Sequence, residues 1–329
     1  MSAAARTLPG DAGRGREGDG HRDGHREGLQ AARRYRLPFG RRAWRGLQGN
    51  WPGAGAGSSI DFQDHRAYQP GDDPRYIHWA AYARTGQLST KLYRAEMSPL
   101  VDLVVDESES MRLTPAKAAR VDALVAFCVE SAALAGVAGG AGASLRLHAV
   151  NGHAAVVRAV PVELARAGRW REGGGPPVRR SGSGSGSPEV RPSGGPGALP
   201  WRPSAMKVLV SDLLYPCDPL PLVSAMAAGG GVPVILAPAL AEEAEPPGGR
   251  GNMELVDCET GERRRQRIDD ALATRYCAAY ERHFALWEEA CRRRGVAFAR
   301  VGGSDATPLA EALAGAPLAQ GCVELMPAA

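Results

Sequence analysis

At 329 residues the chain is long enough for one large or two modest domains, and 44% hydrophobic residues excludes disorder throughout. The formal charge is +4, but residues 1–48 hold eleven arginines against five acidic residues, which leaves the remainder near −2. Six cysteines without a C-x-x-C pair exclude a zinc ribbon and a disulfide framework and fit a reducing compartment.

Met1 to about Gly28 is rich in Gly, Arg, Asp and His and has almost no large apolar residues, so it cannot offset its own ordering entropy. Residues 1–34 are expected to form a disordered basic tail. That tail lacks the clustered basic runs and stacking aromatics of a nucleic-acid site, and no nucleic-acid partner is expected. It also lacks the basic-then-apolar order of a signal peptide, which points to the cytoplasm.

Residues 35–100 read as a small β-rich segment, with a turn at Gln69-Pro70-Gly71-Asp72 and a half-exposed strand over Leu88–Tyr93. The pattern then changes to strands alternating with helices. Val101–Val105 is a buried strand that runs into Asp106, and a helix follows over Pro115–Ala138. Ser144–Val150 and Ala154–Val160 form a hairpin across Asn151-Gly152. Residues 171–200 are a flexible Gly/Ser/Pro insertion.

Met206–Val210 is a second buried strand that runs into an acid, Asp212. The uncharged stretch Leu220–Ala241 contains Pro221, Pro233, Pro238 and three consecutive glycines, so it reads as helix, turn and buried strand and not as a membrane span. Glu254–Thr260 is an edge excursion, Ala271–Arg294 a long amphipathic helix, Val296–Val301 a strand and Pro308–Ala314 a short helix. Residues 101–329 are therefore expected to be one α/β domain, a mostly parallel Rossmann-like sheet with helices on both faces.

In such a sheet, ligands gather beyond the carboxyl ends of the strands where strand order reverses. If the strands ending in Asp106 and Asp212 are neighbours, then Asp106, Ser108, Ser110 and Asp212 converge. Two hydroxyls and one or two carboxylates suffice for a hard divalent cation. Asp106 and the serines are also favoured helix starters, so capping remains the alternative on spacing alone.

Asp106, Ser108 and Ser110 resemble the first motif of the metal-ion-dependent adhesion site of von Willebrand factor A domains, with Asp212 where that fold places its later aspartate. The resemblance implies a von Willebrand factor A-like domain holding Mg2+ or Mn2+. The middle threonine of that family has no counterpart, its region being occupied by the Gly/Ser insertion.

Tyr68-Gln69-Pro70-Gly71-Asp72-Asp73-Pro74-Arg75-Tyr76-Ile77-His78-Trp79, followed by Ala83-Arg84-Thr85-Gly86-Gln87-Leu88, resembles the signature of the domain of unknown function 58 family. Asp257-Cys258-Glu259-Thr260-Gly261 resembles that family's D-x-E-T-G stretch, while His78 stands where the family has an aspartate. Within the signature, Gly71 suits a tight turn, Asp72 or Asp73 can pair with Arg75, and Ile77 and Trp79 can bury on one face at period two; Arg84 belongs to the second motif. This pattern serves either as a structural brace or as a docking surface.

The resemblance implies a soluble cytoplasmic adaptor that is not an enzyme and that binds proteins in a metal-dependent way, partnered by a MoxR-type AAA+ ATPase and a protein client, in assembly, maturation or chaperone-like work. The enzymatic alternative is a magnesium-dependent phosphotransferase of haloacid dehalogenase type using Asp106, which would need an acid where Ser108 stands.

Overall fold

Ordered structure begins well before the expected boundary at residue 34. The computed structural model describes residues 3–4, 14–41, 47–135, 143–151, 154–172, 199, 201–215, 217–245, 250–304 and 306–326. After a two-residue strand β1 (Ala3–Ala4), residues Arg14–Ala31 form helix α1. This corrects the expectation of a disordered tail over residues 14–34.

Glycines explain how so polar a helix docks. A Cβ on Gly28 would lie 2.2 Å from the Ala123 carbonyl oxygen, so α1 sits almost backbone to backbone on the helix that carries Ala123. The chain that leaves α1 is buried at Ala31, Ala32, Tyr35 and Leu37, and the Leu37 N–H donates to Ser131 Oγ at 2.7 Å. Tertiary burial outweighs poor helix propensity here.

Strand β2 (Tyr35–Arg36) follows, then the long β3 (Leu47–Ala67), the short helix α2 (Trp79–Thr85) and β4 (Ser89–Ser98). β3 and β4 pair antiparallel with Arg66 opposite Thr90, so the expected β-rich segment is a hairpin interrupted by α2.

The α/β domain comprises β5 (Leu100–Asp106), α3 (Pro115–Leu134), β6 (Ser144–Asn151), β7 (Ala154–Val160), α4 (Val162–Arg166), β8 (Met206–Val210), α5 (Pro219–Ala227) and β9 (Val232–Pro238). A hairpin of β10 (Gly251–Asp257) and β11 (Arg263–Ile268) follows, and β1 is the antiparallel neighbour of β10. The chain ends with α6 (Asp270–Arg294), β12 (Ala297–Val301), α7 (Leu309–Ala314), α8 (Ala316–Ala319) and β13 (Glu324–Leu325), which pairs with β2.

Six strands form the central sheet in the order β12-β9-β8-β5-β6-β7, all parallel except β7, which returns antiparallel to β6. The fold is thus the mixed Rossmann-like α/β sheet expected, and its strand order is consistent with a von Willebrand factor A-like arrangement. Order reverses between β5 and β8, where crossovers diverge to opposite sides. Both strands are buried on both faces, which explains their apolar, β-branched sequences.

On one face Val101, Leu103 and Val105 pack with Val121, Leu124 and Phe127 of α3 and with α1. On the other, Val104 and Leu209 pack with Leu222 of α5 and with Phe284 and Trp287 of α6. Thr114 caps α3 by accepting from Lys117 N–H at 3.1 Å, and Asp269 caps α6 by accepting from Leu272 N–H at 2.8 Å. The insertion at residues 171–200 lies outside the described residues except for Arg171, Glu172 and Leu199.

One ionic contact tethers α1 and makes it pH-sensitive. His21 Nδ1 and Asp122 Oδ2 of α3 are 2.6 Å apart, and this hydrogen bond holds the imidazole above its ordinary 6.5, against a smaller opposing effect of burial. A raised folded value means that the stabilisation is complete below 6.5 and is lost as pH rises through the folded value. His25 is shifted the other way, chiefly by burial, so its effect is spent above 6.5. Amide exchange in α1, corrected for intrinsic rate, should therefore accelerate as pH rises above about 6.5, and His21→Gln should flatten that dependence.

Candidate functional site

The parallel register of β5 and β8 sets Val105 opposite Val210, so Asp106 and Ser211 emerge side by side and Asp212 follows one residue later. All three are buried, as are Ser108 and Ser110. The loop after Asp106 folds back on it: Ser108 N–H donates to Asp106 Oδ1 at 2.9 Å, and the Ser108 and Ser110 hydroxyls lie 3.0 Å apart. The Ser211 hydroxyl donates to Asp106 Oδ2 at 2.8 Å. Burial, with the neighbouring charge of Asp212, pushes the Asp106 carboxyl up to about 6. The structure thus brings Asp106, Ser108, Ser110 and Asp212 together at the switch point.

Asp212 is held from both sides. Its Oδ1 accepts from Leu214 N–H at 3.1 Å, and its Oδ2 accepts from Lys117 Nζ at 2.7 Å. Between them Leu213 adopts φ of 58°, a left-handed conformation uncommon for a branched side chain, and its carbonyl lies 2.7 Å from His283 Nε2.

Lys117 also bonds Glu243 Oε1, on the 3₁₀ turn Ala241–Ala244 after β9. Its side chain is 1% exposed. Burial opposes the charge on this amine, but Asp212 and Glu243 together hold it above the ordinary lysine value.

Glu259 completes the surroundings. In the β10–β11 turn Asp257 Oδ1 accepts from the N–H groups of Glu259 at 2.9 Å and Thr260 at 3.0 Å. The turn carries Glu259 across to the Asp106 loop, where its Oε1 accepts from Ser110 N–H at 2.7 Å. Glu107 and Glu109 turn away, pairing with Arg158 and Arg112.

Sequence reasoning missed Lys117, Ser211, Glu243 and Glu259. A signal existed for the first: lysine occurs only at positions 91, 117 and 207, although Lys and Arg together number 40. The D-x-E-T-G stretch held the last, but only the fold carries it to Ser110.

A divalent ion fits these residues poorly. Each of the four carboxylate oxygens of Asp106 and Asp212 accepts a hydrogen bond from the protein, and one of those donors is a buried ammonium. A divalent charge beside Lys117 would meet direct repulsion in a poorly screened setting.

The upstream signature forms a second cluster. Gly71 takes φ of 106° in the turn. Asp72 ties the turn together, accepting from Arg66 Nη2 at 2.5 Å, Gln69 N–H at 3.0 Å and Thr90 Oγ1 at 3.2 Å. Arg75 pairs with Asp73 at 2.6 Å, and Arg84 Nε donates to the Ala80 carbonyl. The hydrogen bonds of Asp72, Arg75 and Arg84 all stay within this hairpin.

Ile77 is buried and bridges to Thr90, as its period-two spacing implies. Trp79 corrects that expectation. It opens α2 instead of continuing a strand, which leaves it 58% exposed and edge-on to Tyr82, itself 43% exposed, at 6.3 Å. His78 stacks obliquely on His65 at 4.6 Å, and burial together with that neighbour lowers its affinity for a proton.

Among the described residues, no helix is long and apolar enough to cross a membrane. No curated protein and no solved structure matched the chain. A model of the family described as Protein of unknown function DUF58 matches residues 64–168, from the β3–β4 hairpin through the Asp106 loop to the end of α4. That segment is similar to the DUF58 family, the same family that the upstream signature resembles.

Proposed function

We propose that this protein is a non-catalytic adaptor of the cytoplasm that binds other proteins, docking through α2. Its partner would be a MoxR-type AAA+ ATPase, and its work the assembly, maturation or chaperone-like handling of a protein client. The observation that carries the docking surface is the exposed aromatic pair Trp79 and Tyr82, flanked by the exposed Arg75 and Arg84, inside the family-matched segment. Trp, Tyr and Arg are enriched among the residues that dominate binding energy at protein interfaces. The partner ATPase itself is inferred from the family resemblance.

The phosphotransferase reading has less support. Asp106 is 2% exposed with both oxygens engaged, and Ser108 replaces the required acid. Turnover of a generic phosphate ester that disappears in Asp106→Ala would restore it.

Docking is tested by co-purification from the native host of the wild-type chain and of the double variant Trp79→Ala/Tyr82→Ala. The expected result is recovery of an AAA+ ATPase by the wild type and a loss of affinity of about 100-fold or more in the variant, with melting temperature nearly unchanged. Equal recovery by both chains would contradict the surface, and recovery of no such ATPase would contradict the partner.

A further inference from the structure

We propose that Lys117 is the resident cation of the switch-point notch, and that the notch therefore takes no divalent ion. Asp106 and Asp212 end adjacent strands, and Glu243 follows the next one, so three carboxylates crowd the same edge of the sheet. Two buried acids with no compensating charge would repel each other and lose their hydration. The fold places one ammonium there, from the first turn of α3, bridging Asp212 Oδ2 and Glu243 Oε1.

Both acceptors are fixed independently of the lysine. Asp212 Oδ1 is held by Leu214 N–H, Glu243 Oε2 accepts from Leu240 N–H at 3.0 Å, and the Glu243 carbonyl accepts from Tyr276 Oη at 2.8 Å. A notch shaped this way presents a preformed oxygen cradle to a point charge. Lysine supplies a compact point charge with three donors, which here meets one oxygen from each of two carboxylates. The residue choice agrees: in a chain that has arginine at nearly every basic position, lysine stands here.

The consequence is a loop whose shape does not respond to magnesium. The covalently attached cation holds the Asp212–Leu214 turn to the Ala241–Ala244 turn at all metal concentrations, so any partner that reads this edge does so without a metal bridge. This inference is independent of the α2 surface.

The test is thermal unfolding of the full chain in EDTA, Mg2+ and Mn2+, for the wild type and for Lys117→Ala, which removes the ammonium and leaves the cradle open. The expected result is a wild-type melting temperature that differs by less than about 1 °C among the three conditions, and a Lys117→Ala chain that millimolar Mn2+ raises by about 3 °C or more. A wild-type rise with Mn2+ that Asp106→Ala abolishes would overturn the proposal. So would a folded Lys117→Ala chain indifferent to Mn2+, because the ammonium would then not be occupying a cation's place. If Lys117→Ala does not fold, the wild-type comparison decides alone.

Discussion

Lys117→Met should lower the stability of the α/β domain by about 3–5 kcal/mol, the cost of leaving a buried ionic partner uncompensated. The methionine fills the volume but leaves Asp212 and Glu243, with 2% and 12% side-chain exposure, facing each other without a cation. At roughly 2 °C per kcal/mol, the melting temperature should fall by about 6–10 °C. Lys207→Met is the informative contrast. Lys207 is equally buried, but its ammonium donates to the Met226 and Ala228 carbonyls at the end of α5, so its loss removes hydrogen bonds and not the partner of two carboxylates. Its cost should be about 1–2 kcal/mol. Equal losses in the two variants would show that Lys117 acts through packing alone.

Asp122→Ala should be nearly as costly, at about 3 kcal/mol, and its effect should be local to the N-terminal helix. The Asp122 carboxylate is buried in α3 and accepts from Trp170 Nε1 at 3.0 Å, from Arg171 Nη1 at 2.5 Å and from His21 at 2.6 Å. Three segments meet on it: α1, α3 and the turn after α4. Its removal strands the indole N–H of Trp170, a residue 1% exposed, and releases two cationic side chains. Hydrogen exchange should show α1 losing protection before β5 and β8 do, whereas Asp122→Asn, which keeps an acceptor for Trp170, should lose less. Uniform loss of protection across the sheet would mean that α1 is an integral part of the core and not a tethered element.

The parts of this fold that depend on local pattern were legible in the sequence. β5, β8 and β9 announced themselves as short apolar runs because a central parallel strand is buried on both faces and tolerates little else. The convergence of Asp106 with Asp212 was legible too, since both acids leave such strands at the end where ligands gather. What escaped depended on distant neighbours. The stretch that forms α1 read as disordered because it has almost no large apolar residues, yet its Gly24 and Gly28 allow close approach to Ala119 and Ala123.

Trp79 escaped for a different reason. A period-two argument extends a strand through His78, but the hairpin turns there and Trp79 becomes the first residue of a helix pointing outward. Lys117 and Glu243 lie 126 residues apart, and nothing in either local sequence refers to the other. Only the juxtaposition of the start of α3 with the turn after β9 makes them a pair. The same applies to Glu259 and Ser110, which meet 149 residues apart across the mouth of the notch.

The expectation of a bound metal followed from Asp106, Ser108 and Ser110 matching a pattern and from Asp212 standing where the later aspartate of that pattern falls. The structure adds the charge that the pattern omits: a buried ammonium bonds Asp212, one of the residues that the resemblance implies as ligands. The loss of a recognisable middle threonine is consistent with this, because a site neutralised by lysine needs no further oxygen ligand.

Crystals grown in millimolar Mn2+ and measured at the manganese absorption edge address that point directly. The expected map has no anomalous peak between Asp106 and Asp212, with Lys117 Nζ in contact with Asp212 Oδ2. A peak there, with the lysine displaced toward solvent, would contradict it.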